Sequence, residues 1–224
     1  MAPWPGYFIS FEGLDGAGKS TQVASLAGTL RVTKRDVLTV RPNNTLLGEI
    51  LHAFVLQHQR GPAVEPWAEA LLFNAERVQL LHEVILPALQ RGAIVIADRY
   101  TDSTLAYQGG GRGLPIDQLL ELHRATCGDV WPDLTFYLQI PAEAAARRQH
   151  AQQLPLDRIE GAPENFHTLV ERTFEELADA NRERIVRVDA SASAIAVARE
   201  IGEIALRRLA ARSPRAVVPA AAPA

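Results

Sequence analysis

Tyr7-Phe-Ile-Ser-Phe-Glu-Gly13-Leu-Asp-Gly-Ala-Gly18-Lys19-Ser20-Thr21-Gln22 is the stretch that decides the fold. Tyr7 to Phe11 is short, aromatic and β-branched, as a buried strand should be, and Gly13 stops it. Lys19 to Arg31 then sets Val23, Leu26, Ala27 and Leu30 on one helical stripe. Between them the chain fits G-x-x-x-x-G-K-[ST], in the strand–turn–helix context that gives this spacing its mechanism. Glycines let successive backbone N–H groups turn inward around phosphates, and the helix N-terminus adds a favourable dipole. Gly13, Gly16, Ala17, Gly18, Lys19, Ser20 and Thr21 are therefore the candidate ATP-phosphate cradle. Lys19 is placed to reach the β- and γ-phosphates, and Ser20 to offer its hydroxyl to Mg²⁺.

Outward from this motif, strands and helices alternate. Val37 to Val40 reads as a strand closed by Pro42, and Thr45 to Leu56 as an amphipathic helix. After a turn at Gly61-Pro62, a long helix runs from about Pro66 to Gln90, kinked near Pro87 and stopped by Gly92. Ala93 to Ala97 is a fully apolar run, of the kind found in parallel strands covered on both faces. A polar, Gly-rich stretch at Tyr107 to Gly113 precedes a helix from Ile116 to Thr126, and Leu134 to Ile140 is the next strand. Ala142 to His150 starts a helix that gives way to a polar loop, Gln152 to Pro163. Helix resumes over Glu164 to Glu183, Ile185 to Val188 is a strand, and Ala192 to Arg212 is the last helix. The pattern predicts an α/β, three-layer P-loop NTPase fold: a parallel five-stranded sheet with helices on both faces. Residues 1–212 form one such domain, and the Ala- and Pro-rich residues 213–224 read as a disordered tail.

Bulk properties narrow the function. The 224 residues are 47% hydrophobic and 22% charged, enough to fill a core, and the net charge of -3 argues against a partner that is a nucleic-acid polymer. No apolar run approaches the roughly 18 residues of a spanning helix, and Met1 to Gly6 does not read as a secretory signal. Cys127 stands alone, which excludes an intrachain disulfide and suits a reducing, cytoplasmic setting. The six histidines form no metal-binding cluster.

The phosphate cradle alone does not separate kinases, GTPases and motor ATPases. The chain lacks an N-K-x-D guanine-reading run and an L-S-G-G-Q run. Instead Asp98-Arg99-Tyr100 follows the most apolar strand. Asp98 is placed to hold Mg²⁺ through water, and Arg99 to clamp a second phosphate. A cation and an anion aimed at one phosphate site point to a kinase whose acceptor is itself a phosphate.

Phe11-Glu-Gly-Leu-Asp-Gly-Ala-Gly-Lys-Ser-Thr-Gln22, Asp98-Arg-Tyr-Thr-Asp-Ser-Thr-Leu-Ala-Tyr-Gln-Gly-Gly-Gly-Arg-Gly113 and Leu156-Asp-Arg-Ile-Glu160 together resemble bacterial thymidylate kinases. Leu72-Phe-Asn-Ala-Glu-Arg77 and Pro132-Asp-Leu-Thr-Phe-Tyr-Leu138 support the likeness, which runs from about Tyr7 to Ala190. The resemblance implies transfer of the γ-phosphoryl of ATP to dTMP, with Mg²⁺, in a homodimer. By it Phe73 would stack on thymine, Arg77 would hydrogen-bond its polar edge, and Ser103, Thr104, Tyr107 and Gln108 would contact the nucleoside. Tyr107 would exclude a ribose 2′-hydroxyl, and Asp15 would face the sugar and transferred phosphate. Residues 149–163 would be a lid carrying the transition-state arginine, with Arg158 the first candidate and Arg148 the second. On residue type alone, Phe73 also reads as core and Asp102 or Ser103 as a helix N-cap.

The chain departs from the family at Thr39-Val-Arg-Pro-Asn-Asn-Thr45, where relatives usually carry T-R-E-P-G-G-T. Gln149, His150, Gln152 and Gln153 occupy a stretch that relatives often fill with arginines. A kinase for another pyrimidine nucleotide or a deoxynucleoside, or a nucleotide-binding regulatory protein, are the alternatives these departures leave open.

Overall fold

The computed structural model of the protein describes residues 4–57, 64–128, 130–151, 158–159, 161–162 and 164–211. The turn expected at Gly61-Pro62, most of the 149–163 lid and the 213–224 tail lie outside the described residues.

Five strands, β1 (Tyr7–Glu12), β2 (Val37–Val40), β3 (Ile94–Asp98), β4 (Leu134–Gln139) and β5 (Ile185–Asp189), form one parallel sheet in the order β2-β3-β1-β4-β5. Each lies within one residue of the apolar run that predicts it. Alternate residues of β1 feed two cores. Tyr7, Ile9 and Phe11 pack with Leu26, Leu30 and Ile201, whereas Phe8 packs with Leu81, Ile85 and Leu89. Burial on both faces is why the central strands β1, β3 and β4 lack polar alternation, whereas the edge strand β5 exposes Arg187 and Asp189. The fold is a P-loop NTPase α/β sandwich with helices on both sides.

The helices are α1 (Lys19–Val32), α2 (Leu46–Gln57), α3 (Pro66–Leu80), α4 (Leu86–Gln90), α5 (Thr101–Thr104), α6 (Ile116–Cys127), α7 (Ala142–Ala151), α8 (Glu164–Ala180) and α9 (Ala194–Ala211). Thr45 caps α2 by accepting the Gly48 N–H on its hydroxyl at 3.0 Å. None of the described helices is long and apolar enough to cross a membrane.

Two local expectations need correction. The irregularity expected at Pro87 is a π-helical turn, Leu81–Ile85, directly upstream of α4. Proline lacks the N–H that an α-turn needs and crowds the carbonyl four residues back, and a wider turn relieves both. Gly92, at φ 89, ends α4 with the Ala93 N–H bonded to the Ala88 carbonyl. The polar Gly-rich stretch is helical through Gly111, as α5 and a π-helical segment, Leu105–Gly111. Its glycines serve packing: a Cβ on Gly110 would collide with Thr173 and one on Gly111 with Phe166, both from α8.

One register relation positions the site. Phe11 of β1 pairs with Asp98 of β3, so the loops leaving these two central strands emerge side by side at their carboxyl ends.

Candidate active site

A cavity of about 570 Å³ opens at those strand ends. One end is the loop from β1 into α1. Gly16 and Gly18 have φ 87 and 92, which turns the backbone through conformations that L side chains rarely adopt. Both line the cavity with Lys19, Ser20 and Thr21, while Ala17 is buried in the core and the Gly13 carbonyl accepts from the Arg99 guanidinium. The Lys19 ammonium donates to the Leu14 carbonyl at 2.8 Å and to Asp15 Oδ1 at 3.3 Å. Burial, together with the Arg99 charge, lowers its pKa from the usual lysine value, against the pull of Asp15 and Asp98.

Ser20 and Asp98 meet at the next position, the hydroxyl donating to Asp98 Oδ2 at 2.6 Å. A hydroxyl and a carboxylate in contact beside a phosphate cradle fit the hard oxygen chemistry of Mg²⁺. Among the described residues no cluster of three or more acidic, His or Cys side chains could hold a metal alone, so phosphate and water oxygens would complete such a site.

Arg99 occupies the middle of the cavity. Its φ of 77 is one of two positive values among the described non-glycine residues, a strain of about 1–3 kcal/mol. One guanidinium nitrogen donates to the Gly13 carbonyl at 3.0 Å and to Ser103 Oγ at 2.9 Å. The other donates to Asp15 Oδ1 at 2.5 Å and to Tyr107 at 3.1 Å. Burial opposes both members of the Asp15–Arg99 pair, yet mutual attraction holds Asp15 well below and Arg99 well above their usual ranges. Burial also raises the Tyr107 phenol, keeping it a neutral donor to Asp15 at 3.2 Å.

The far end is built by α3 and the segment after β3. Phe73 is half-buried on the cavity wall rather than sunk in the core. Arg77 is buried, donates to Thr104 Oγ1, lies 5.8 Å from the Tyr100 ring centroid, and its Nε has no hydrogen-bond partner among the described residues. Gln108 is held by Glu69, which is itself wholly buried and clamped by Arg112.

Other residues fall differently from their expected places. Asp102 is no N-cap: α5 starts one residue earlier, and Asp102 makes a buried bidentate pair with Arg184 at 2.6 and 2.9 Å. Arg158 does not line the cavity; its guanidinium donates to the Val55 carbonyl of α2 at 3.4 Å. Arg148 is half-buried on α7, also outside the lining. Arg41, from the divergent loop, does line it, with Asn43 and His52.

Sequence reasoning missed Glu12, whose buried carboxylate accepts from the Tyr100 N–H and the Ser103 hydroxyl. The available signal was a charged residue continuing an otherwise apolar central strand. Glu69 was missed too, since nothing local marks it as the partner of Gln108.

Comparison with known proteins agrees with this geometry. A family profile described as Thymidylate kinase matches residues 11–201. The thymidylate kinase of Thermomicrobium roseum is 45% identical over 186 residues, 83% of this chain and 87% of that protein. That of Synechococcus sp. (strain JA-3-3Ab) is 42% identical over 209 residues, 93% and 99% of the two chains. A Bifidobacterium longum thymidylate kinase is 43% identical over 196 residues, covering 86% and 93%.

Proposed function

The chain belongs to the thymidylate kinase family, and from that premise we propose how its cavity carries out ATP-dependent phosphorylation of dTMP to dTDP. The observation that carries the reading is the position of Arg99, between the phosphate cradle and the Phe73–Arg77–Gln108 end of one continuous cavity. A donor phosphate at Lys19 and an acceptor phosphate at Arg99 would then face each other.

The bond from the γ-phosphorus to the β,γ-bridging oxygen breaks, a bond to an acceptor phosphate oxygen forms, and ADP leaves. The acceptor is already anionic, so positioning and charge neutralisation do most of the work. Backbone N–H groups of Gly16 to Lys19 and the Lys19 ammonium hold the donor. Mg²⁺, which neutralises charge on the phosphates when bound, would be held by Ser20 and Asp98. Asp15 orients Arg99 and, with Tyr107, crowds the sugar; Tyr107 is the residue that would exclude a 2′-hydroxyl. Phe73 stacks on the base, Arg77 and Gln108 meet its polar edge, and Ser103 and Thr104 border the nucleoside. Arg158 is the first choice for the transition-state cation and Arg148 the second. Taking up that role requires Arg158 to leave Val55 as the lid closes.

Two further readings follow. The Leu46, Ile50 and Phe54 stripe of α2, with Trp67 and Leu71 of α3, is an exposed apolar face that supports a homodimer through these helices. The lone cysteine supports a reducing, cytoplasmic location.

The test is ADP production with ATP–Mg²⁺ and dTMP, dUMP, UMP, CMP, GMP or thymidine in turn. Clear preference for dTMP is the expected result. Preference for another acceptor would keep the kinase and discard the thymine site.

A further inference from the structure

Glu12 ends β1 one residue before the phosphate loop, and its side chain is wholly buried and absent from the cavity wall. It cannot touch either substrate, so burying a carboxylate there calls for another reason. Both oxygens are committed to the segment after β3. Oε1 accepts the Tyr100 N–H at 2.7 Å, and Oε2 accepts the Ser103 hydroxyl at 2.5 Å. The Ser103 oxygen in turn accepts from the Arg99 guanidinium at 2.9 Å. The residue before Glu12 completes the clamp, for the Phe11 carbonyl accepts the Arg99 N–H at 3.0 Å. Two consecutive residues of β1 thus grip the two peptide N–H groups flanking the positive-φ Arg99.

Resting on the reading of Arg99 as the acceptor-phosphate cation, we propose that Glu12 is the positioning residue of the acceptor site. Its carboxylate fixes the Arg99 backbone through Tyr100 and the guanidinium through Ser103, so the acceptor phosphate meets a cation already in place. Chain conformations that sit in sparsely populated regions persist only when surrounding bonds over-determine them, and here those bonds come from β1. The charged groups facing Glu12 are Arg99 and Asp102 from the segment after β3 and Arg184 just before β5. Burial, reinforced by Asp102, raises the Glu12 carboxyl to about 7 against the bond from Ser103, the charge of Arg99 and the bond from the Tyr100 N–H. The clamp is therefore charged at high pH and neutral at low pH, where one oxygen carries a proton and the attraction for Arg99 is lost.

The experiment is steady-state kinetics on the full-length protein and on Glu12→Gln, varying acceptor and ATP separately between pH 6 and 8.5. Glu12→Gln should raise the acceptor KM about tenfold or more at pH 8, the loss of a charge-assisted bond, with the ATP KM within about twofold. The ratio of variant to wild-type acceptor KM should shrink as pH falls through about 7, where the wild-type carboxyl itself becomes neutral. Both proteins see the same ionisation of the acceptor phosphate, so the ratio isolates Glu12. An unchanged acceptor KM, or equal losses toward ATP and acceptor with a pH-independent ratio, would overturn the proposal. If Glu12→Gln does not fold, Glu12→Asp keeps the charge but withdraws it by one methylene, and an unshifted acceptor KM there overturns it equally. The kinetics use whichever acceptor the wild type prefers, so failure of the dTMP reading would appear first in the wild-type acceptor panel, independently of Glu12.

Discussion

Gln108 donates its side-chain amide nitrogen to Glu69 Oε1 at 2.9 Å, and this bond decides which end of the amide faces the cavity. A carboxylate accepts and does not donate, and Arg112 holds Glu69 in place through two further bonds at 3.2 and 3.1 Å. The Gln108 Oε1 is thereby left for the ligand. An oxygen there would accept the ring N–H of thymine or uracil and would repel the ring-nitrogen lone pair of cytosine. Glu69→Gln introduces a partner that can donate as well as accept, so Gln108 can flip. The dTMP-over-dCMP ratio in kcat/KM should fall about tenfold or more, measured side by side with each acceptor. A variant with unaltered discrimination would move base selection elsewhere.

Leu46, Ile50 and Phe54 repeat at helical spacing on α2 and are 75%, 59% and 48% exposed. The proposed homodimer would seat a second copy of the chain on this stripe. Ile50→Glu puts a charge in the middle of that stripe and should convert a dimer to monomer in sedimentation velocity at micromolar concentration. Equal mass for both proteins would count against this face.

The central strands β1, β3 and β4 were legible because each is a nearly apolar run bounded by Gly, Pro or charge, and burial on both faces leaves no competing pattern. The partly exposed edge strands β2 and β5 were legible as short β-branched runs between charged residues. The loop from β1 into α1 was legible because its residues are contiguous. The helical Gly110-Gly111 segment was not, because the reason for those glycines is the approach of Thr173 and Phe166 from α8. Asp102 was misread for a similar cause. Its partner Arg184 lies 82 residues away, and a local capping preference was the only signal near it. Glu12 and Glu69 bond to other residues of the protein, so the charge ending an apolar strand marked Glu12 without revealing its partners, and nothing local marked Glu69.

Arg158 rests on the Val55 carbonyl at 3.4 Å, a weak bond to surrender. If it supplies the transition-state charge, Arg158→Ala should lower kcat by about 10³-fold with little effect on ATP binding. Single-turnover quench with ATP–Mg²⁺ and dTMP reads this directly. Should Arg148→Ala show that loss instead, the role passes to α7.

Arg41 borders the cavity from the loop that departs most from the family, with its backbone N–H fixed by Asn44 Oδ1 at 2.7 Å. It stands one residue beyond the position where the family usually carries an arginine, and here that position is Val40. Arg41→Ala should raise the acceptor KM several-fold, about what an exposed cation contributes to a phosphate, and leave the ATP KM unchanged. Identical acceptor KM values would show that Arg99 holds the acceptor phosphate without help from this loop.

Glu12 also makes a prediction about stability. Its carboxyl is raised from the ordinary 4.5 to about 7, chiefly by burial. Between these values the folded chain keeps a proton that the unfolded chain has released, so stability falls as pH rises across the window and stays lowered above it. Glu12→Gln removes this titration. The melting temperature of the variant, relative to wild type, should therefore climb from pH 5 to pH 8, as scanning calorimetry at both values would show. A variant that loses ground to wild type with rising pH would mean that the carboxylate is stabilised by Ser103, Tyr100 and Arg99 beyond the cost of its burial. The expected direction makes Glu12 a residue that weakens the fold at the pH where it holds Arg99 in place, which is the signature of a group retained for function.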